Sequence, residues 1–231
     1  MDLKIKNTLI FLILTFTSFL AMAINKEELS DIINKATHGD VDSQKMLAFM
    51  YYEGDSVEKN NLESTRWLEK SAQQGDAESQ TSLGWFYEKG NGVKQNYNKA
   101  KEWYEKAAVQ GYADAQKSLA ALYYIGLGVD RDLRKGVWWL EEAAKQGDAD
   151  AQGKLGWQYE EGRGVEQSDE KAKEWYEKAA NQGDPLAQVN LGLLYVNGTG
   201  MAPDFNQAKK WFGKSCESGF EYACDYYRQF K

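Results

Sequence analysis

Residues 75–111 read GDAESQTSLGWFYEKGNGVKQNYNKAKEWYEKAAVQG, and a shift of 36 residues lays the chain on itself. Gly39, Gly75, Gly111, Gly147, Gly183 and Gly219 fall on that period. So do Leu47, Leu83, Leu119, Leu155 and Leu191, then Tyr51, Tyr87, Tyr123, Tyr159 and Tyr195, then Trp67, Trp103, Trp139, Trp175 and Trp211. A fixed period of this length marks a solenoid, in which each unit buries its apolar face only against its neighbours.

Each unit reads as two helices. The first starts after Asp76, whose carboxylate can cap the free N–H groups of the first turn. Ser79, Leu83 and Tyr87 recur every four residues on one face, and Gly84 leaves room for a neighbouring helix. Gly90 and Gly92 end the helix, because glycine reaches positive φ without a Cβ clash. The second helix starts after Asn96, in the slot of Asn60, Asp132, Ser168 and Asp204, all favoured N-caps. Ala100, Trp103, Tyr104 and Ala107 form its apolar stripe. Glu102 and Lys106 stand four apart on its outer face, in the order that favours an ion pair. Gly111 ends it and opens the next unit.

This pattern resembles the Sel-one-like repeat (SLR) family, relatives of the tetratricopeptide repeats. The family signature is carried by Ala115-Gln116, Leu155-Gly156, Tyr159, Gly162-Arg163-Gly164-Val165, Lys171-Ala172, Trp175-Tyr176 and the run Lys178 to Gly183. The match covers nearly everything after residue 38. It departs in the first unit at Ser56, where the second loop glycine is missing, and in the fifth at Met201-Ala202 with Pro203 beyond. The resemblance implies an all-α, right-handed superhelical solenoid of paired helices that binds other proteins and shares no catalytic residues.

Taken in order, residues 1–23 read as a secretory signal peptide. Lys4 and Lys6 precede an apolar run from Leu9 to Leu20, and Ala21-Met22-Ala23 is a small-x-small cleavage site. Cleavage is expected after Ala23, leaving a mature form with no membrane span in the periplasm or outside the cell. Residues 24–38 read as a lone second-type helix that caps one end. Five units follow, 39–74, 75–110, 111–146, 147–182 and 183–218, and residues 219–231 cap the other end as a lone first-type helix.

Charge and composition narrow the function. The formal charge is −7, and removing Asp2, Lys4 and Lys6 with the signal peptide leaves −8. An acidic chain without a basic patch is a poor ligand for a phosphate backbone, so no nucleic-acid partner is expected. His38, the sole histidine, sits at a helix end where it suits the negative end of the dipole. Ser56 with Lys59 and Ser168 with Lys171 match the Ser-x-x-Lys spacing of penicillin-binding serine enzymes but lack their other motifs. Gly-x-Gly lies between two helices rather than after a strand, which excludes a dinucleotide loop. No catalytic residue, metal ligand or cofactor is therefore expected.

In tetratricopeptide-like superhelices the first helix of each pair lines the concave side. Residues offset from Leu83, Gly84 and Tyr87 are then candidates for the groove. Two positions after each periodic leucine stand Phe49, Trp85, Ala121, Trp157 and Leu193, and three further on stand Tyr52, Glu88, Tyr124, Glu160 and Val196. These positions vary between units while the packing positions do not. Trp85 and Trp157 lie outside the periodic Trp stripe, and Trp is enriched at binding hot spots. Glu88 and Glu160 can pair with a basic partner. The alternative is that the aromatics only pack on the next unit.

Cys216 and Cys224, the only cysteines, flank the turn at Gly219. Their spacing resembles the Helicobacter cysteine-rich branch of the family, which implies a disulfide; export favours the bond, and two buried thiols are the alternative. The reading that results is an exported, monomeric, non-enzymatic scaffold holding a protein or peptide in its groove. Two alternatives stand beside it: an enzyme acting on β-lactams or peptidoglycan, as the cysteine-rich branch implies, and a regulator of a cell-envelope enzyme or sensor.

Overall fold

The computed structural model describes residues 24–200 and 202–230, and the expected signal peptide with its cleavage after Ala23 lies outside them. The described residues form helices only. They are α1 (Lys26–Thr37), α2 (Val41–Glu53), α3 (Asn61–Gln73), α4 (Ala77–Lys89), α5 (Tyr97–Ala108), α6 (Ala113–Ile125), α7 (Leu133–Lys145), α8 (Ala149–Glu161), α9 (Asp169–Asn181), α10 (Pro185–Asn197), α11 (Phe205–Glu217) and α12 (Glu221–Gln229). The extensive contacts all join helices consecutive in sequence, as a solenoid requires.

Local chemistry sets the helix ends. Asp40, Asp76, Asp148 and Asp184 cap the first helices of four units through backbone N–H groups three residues on. Tyr112 holds that slot in the third unit and makes no side-chain cap. Gly54, Gly90, Gly126, Gly162 and Gly198 close the first helices in the left-handed region. The second loop glycine has a further reason to lack a side chain. A Cβ on Gly92 would lie 2.1 Å from the carbonyl oxygen of Asn61, and one on Gly164 would lie 2.5 Å from that of Leu133. Each loop therefore rests on the first turn of the preceding unit's second helix. Ser56, the exception, adopts φ +59° on an exposed turn.

The core runs along the stack between the two helix layers. Leu47, Leu83, Leu119, Leu155 and Leu191 are fully buried, and each stabilises the fold by roughly 1.5–3 kcal/mol. Around them the units alternate through the first four, and the fifth repeats the arrangement of the fourth. Gly84, Gly156 and Gly192 lie under the rings of Tyr104, Tyr176 and Phe212, where a Cβ would come within 2.7, 2.7 and 2.6 Å of a ring carbon. The first and third units hold Ala48 and Ala120 in that glycine slot and Leu68 and Leu140 in that ring slot. In the third unit the bulk comes from the opposite helix, for Tyr124 of α6 lies on Gly136 of α7.

Polar ties repeat with the units. Gln44, Gln80, Gln116, Gln152 and Gln188 each donate Nε2 to the carbonyl of the alanine eight residues back, at 3.0–3.1 Å. Those bonds tie each unit to the one before it, and the Oε1 atoms of the first four accept from Gln74, Gln110, Gln146 and Gln182, each at 2.8 Å, which ties the two helices of one unit together. The ladder stops at Gln188. Ser218 occupies the next glutamine slot and donates to Lys214 instead, so Gln188 Oε1 has no partner. Beyond it, Cys216 and Cys224 form a disulfide between α11 and α12. They occupy the slots of Ala180 and Gln188, so a covalent bond stands where every other hairpin has a hydrogen bond.

One expectation for the outer face is corrected. Lys106 does not pair with Glu102; its ammonium lies 3.7 Å from the Trp103 ring centre. Lys70 on Trp67, Lys178 on Trp175 and Lys214 on Trp211 repeat this arrangement. Three residues along a helix bring the ammonium over the half-buried indole, and the ring face attracts it.

Candidate functional site

The first helices α2, α4, α6, α8 and α10 share one side of the stack. Their register places the candidate groove residues on it unequally. Tyr52 of α2 meets Trp85 of α4 edge-on, with ring centres 6.0 Å apart, and lies 5.5 Å from Phe86. The Lys59 ammonium lies over the Tyr52 ring, 5.2 Å from its centre. This junction is an aromatic cluster across two units, and both Tyr52 and Trp85 are half-buried in it. Trp85 Nε1 is buried without a partner. Phe49 is half-buried, Ala121 is exposed, and Trp157 is exposed with the Arg163 guanidinium 4.6 Å from its ring centre. Leu193 and Val196 pack into the last hydrophobic cluster with Phe212 and Phe220.

Glu88 and Glu160 serve the fold as well as the face. Glu88 Oε2 accepts from the Tyr104 hydroxyl at 3.0 Å, and Glu160 accepts from Tyr176 at 2.6 Å. These two tyrosines lie almost wholly inside, and each needs an acceptor for its hydroxyl. Glu69 and Glu141 serve Tyr87 and Tyr159 in the same way. Burial pushes all four phenols up, and the acceptor carboxylates add to the effect. Tyr159 is raised to about 12. An unfolded tyrosine ionises near pH ~10. The stabilisation is then fully present below about pH 10 and is lost as pH rises toward 12, where the folded phenol also ionises. The urea midpoint is expected to fall between about pH 9 and about pH 11, and to fall less in Tyr159→Phe. An equal fall in both proteins would remove Tyr159 from that account.

Sequence reasoning missed two lysines that join the units. Lys117 meets Asp148 of the next unit's cap at 2.8 Å and Asp114 of its own helix at 2.9 Å. Lys45 meets Asp76 at 3.4 Å and Glu78 at 3.2 Å. Burial opposes both charges, but the surrounding carboxylates outweigh it and raise both pKa values. The signal was available: Lys45 and Lys117 hold one slot in alternate units, and acids stand 31 residues on in each case.

The serines that match Ser-x-x-Lys have local duties. Ser168 accepts from the Lys171 backbone N–H as an N-cap, and Ser56 sits in its exposed turn. Among the described residues no cluster of His, Cys, Asp and Glu could hold a metal ion, and no helix is long and apolar enough to cross a membrane.

The Sel1 repeat profile matches five times, at residues 41–76, 77–112, 113–148, 149–184 and 185–220, a frame two residues later than the one drawn from the glycines. Two solved structures are similar over most of the chain. One is c5321, a protective antigen present in uropathogenic Escherichia coli strains and displaying an SLR fold. It is 33% identical with a TM-score of 0.82, over 87% of this chain and 43% of that one. The chain thus spans less than half of c5321. The other is a Sel1 repeat protein from Oxalobacter formigenes, 30% identical with a TM-score of 0.81, over 88% of this chain and 84% of that one. No curated protein matches the chain.

Proposed function

Because the chain belongs to the Sel1 repeat family, whose members are commonly scaffolds for protein–protein interaction, we propose that it binds a protein or peptide along its first-helix face. It does so as an exported, non-enzymatic bacterial scaffold, periplasmic or released. The observation that carries the reading is the variation on that face. The periodic Leu, Tyr and Trp slots repeat in every unit, while the face changes from the Tyr52–Trp85 cluster through Ala121 to the exposed Trp157. Large aromatics exposed on a rigid helix offer contact area with few rotamers to fix. The disulfide supports an oxidising compartment.

Trp157→Ala is the informative variant. Trp157 is 37% exposed, so truncation removes contact surface without opening the core. Trp85→Ala also costs stability, because that ring packs against Tyr52 and Phe86. Wild-type and Trp157→Ala proteins, used as bait in a native cell-envelope extract, are compared by quantitative mass spectrometry. Retention of at least one partner is expected to fall at least ~10-fold, as loss of a tryptophan hot spot implies. The helical circular dichroism should be unchanged. Identical capture by the two baits would sink the assignment of this face.

A further inference from the structure

Four of the five units treat the tryptophan of the second helix alike. Lys70, Lys106, Lys178 and Lys214 lie over Trp67, Trp103, Trp175 and Trp211, with 3.7–4.3 Å from ammonium to ring centre. The third unit departs from this. Its lysine slot holds Glu142, and Trp138 packs edge-on against Trp139 with ring centres 4.4 Å apart. Trp138 is 51% exposed, the most open tryptophan among the described residues. Its slot is charged in every other unit, as Arg66, Glu102, Glu174 and Lys210. No cation lies over either indole of the third unit among the described residues. A ring left this open gives only part of its area to the fold, and Trp is among the residue types enriched where partners dock.

Carboxylates adjoin that ring. Glu142 stands four residues on, one turn along the same face of α7. It meets Lys145 at 2.8 Å in an exposed pair, which holds weakly enough to be exchanged. On the flanking helices α5 and α9 the slot of Trp138 holds Glu102 and Glu174. Lys106 and Lys178 stand four residues from them but lie on the indoles, so both carboxylates are exposed and make no ion pair among the described residues. The cations one turn before Trp138 do not fill the place: Lys135 lies over Tyr123, and Arg134 lies on neither indole.

We propose that this second-helix face binds an extended, lysine-bearing segment of a partner protein, with one ammonium on the Trp138 ring beside Glu142 and neighbouring lysines at Glu102 and Glu174. The partner then supplies the cation that the other units supply for themselves. Charge favours the match, for the chain carries −7 overall. Packed helices lie about 10 Å apart. In a polyproline II segment every third side chain returns to the same side after about 9 Å, so lysines spaced three apart suit three successive units. The face belongs to the second helices, so this inference and the first-helix reading stand or fall separately.

The test uses 15N-labelled protein and the peptide acetyl-Lys-Pro-Ala-Lys-Pro-Ala-Lys-amide. A saturable shift of the Trp138 indole N–H is expected, with the Trp157 indole N–H unmoved. Trp138→Gln removes the ring, and the loss of a cation–π contact implies about 3- to 30-fold weaker binding. Glu142→Lys restores the arrangement of the other units and should weaken binding at least as much, because the chain's own lysine then takes the place. Both changes are on the surface, so the helical circular dichroism should be unchanged. A peptide with norleucine for its central lysine keeps the stem without the charge and should bind as weakly as the parent peptide binds Trp138→Gln. The proposal falls if the norleucine peptide binds as well as the parent peptide, if Trp138→Gln keeps the parent's affinity, or if the peptide moves no indole up to its solubility limit. It also falls if tetramethylammonium shifts Trp138 as far as the peptide does at equal concentration, which would assign the ring to a quaternary ammonium group instead.

Discussion

Gly164→Ala is expected to destabilise the chain by about 3–5 kcal/mol, among the largest effects a single methyl group can have. Two causes add. Gly164 sits at φ +80°, where an L-residue costs roughly 1–2 kcal/mol. The new Cβ would also lie 2.5 Å from the Leu133 oxygen and 2.7 Å from its carbonyl carbon. That obstacle is backbone at the start of α7, so no rotamer change relieves it. The loop must lift away, and the contact between the third and fourth units opens with it. Ser56→Gly is the matched control. Ser56 already occupies the left-handed region on an exposed turn, so the change should stabilise by about 1 kcal/mol. Urea unfolding of the three proteins reads both effects. A Gly164→Ala midpoint equal to the parent's would show that the loop does not bear on α7.

Removing the disulfide gives the second large effect. Cys216 and Cys224 are 8 residues apart with Cα atoms 4.7 Å from each other, and closing that loop stabilises by on the order of 2–3 kcal/mol in the chain-entropy model. The loss falls on α12, which has a helix on one side only. Cys216→Ala with Cys224→Ala should therefore expose α12 to limited proteolysis while α2 to α11 stay protected. The repeat also supplies a repair. Cys216→Ala with Cys224→Gln installs the pair found at Ala180 and Gln188, whose Nε2–carbonyl bond is 3.1 Å. That bond is expected to recover about 1 kcal/mol relative to the double alanine variant. If the two double variants melt together, the glutamine does not bond in this hairpin.

The solenoid was legible because its packing is local and repeated. Leu83 and Trp103 stand in slots that all five units fill with the same residue, so the period of the sequence is the period of the contacts. Helix ends were legible for the same reason, since Asp76 and Gly90 act within their own turn. The polar tips were not. Periodicity places Glu88 on a face but does not show that Tyr104, 16 residues on, reaches it. Nor does it show that Lys106 prefers the Trp103 ring to Glu102. Long side chains choose among neighbours that only the packed structure brings together. The candidate site was therefore legible as a set of positions, with Trp157 exposed and Leu193 drawn into the terminal cluster.

The alternation of the units bears on how such an array can be inherited. Lys45 and Lys117 reach from odd units to acids at the head of the even ones, while Thr81 and Gly153 hold that slot in the even units. Tyr52 and Tyr124 follow the same beat through the first four units, as do Trp85 with Trp157 and Tyr104 with Tyr176, and the fifth unit departs from it with Val189, Leu193, Val196 and Phe212 in those slots. Two kinds of seam therefore succeed one another. A recombination event that drops residues 75–110 would set Lys45 against Tyr112 in place of Asp76 and leave it without its bridging cap. An event that drops or copies 72 residues joins like seam to like. Through the first four units, the exchanges that keep this seam chemistry are those made two units at a time.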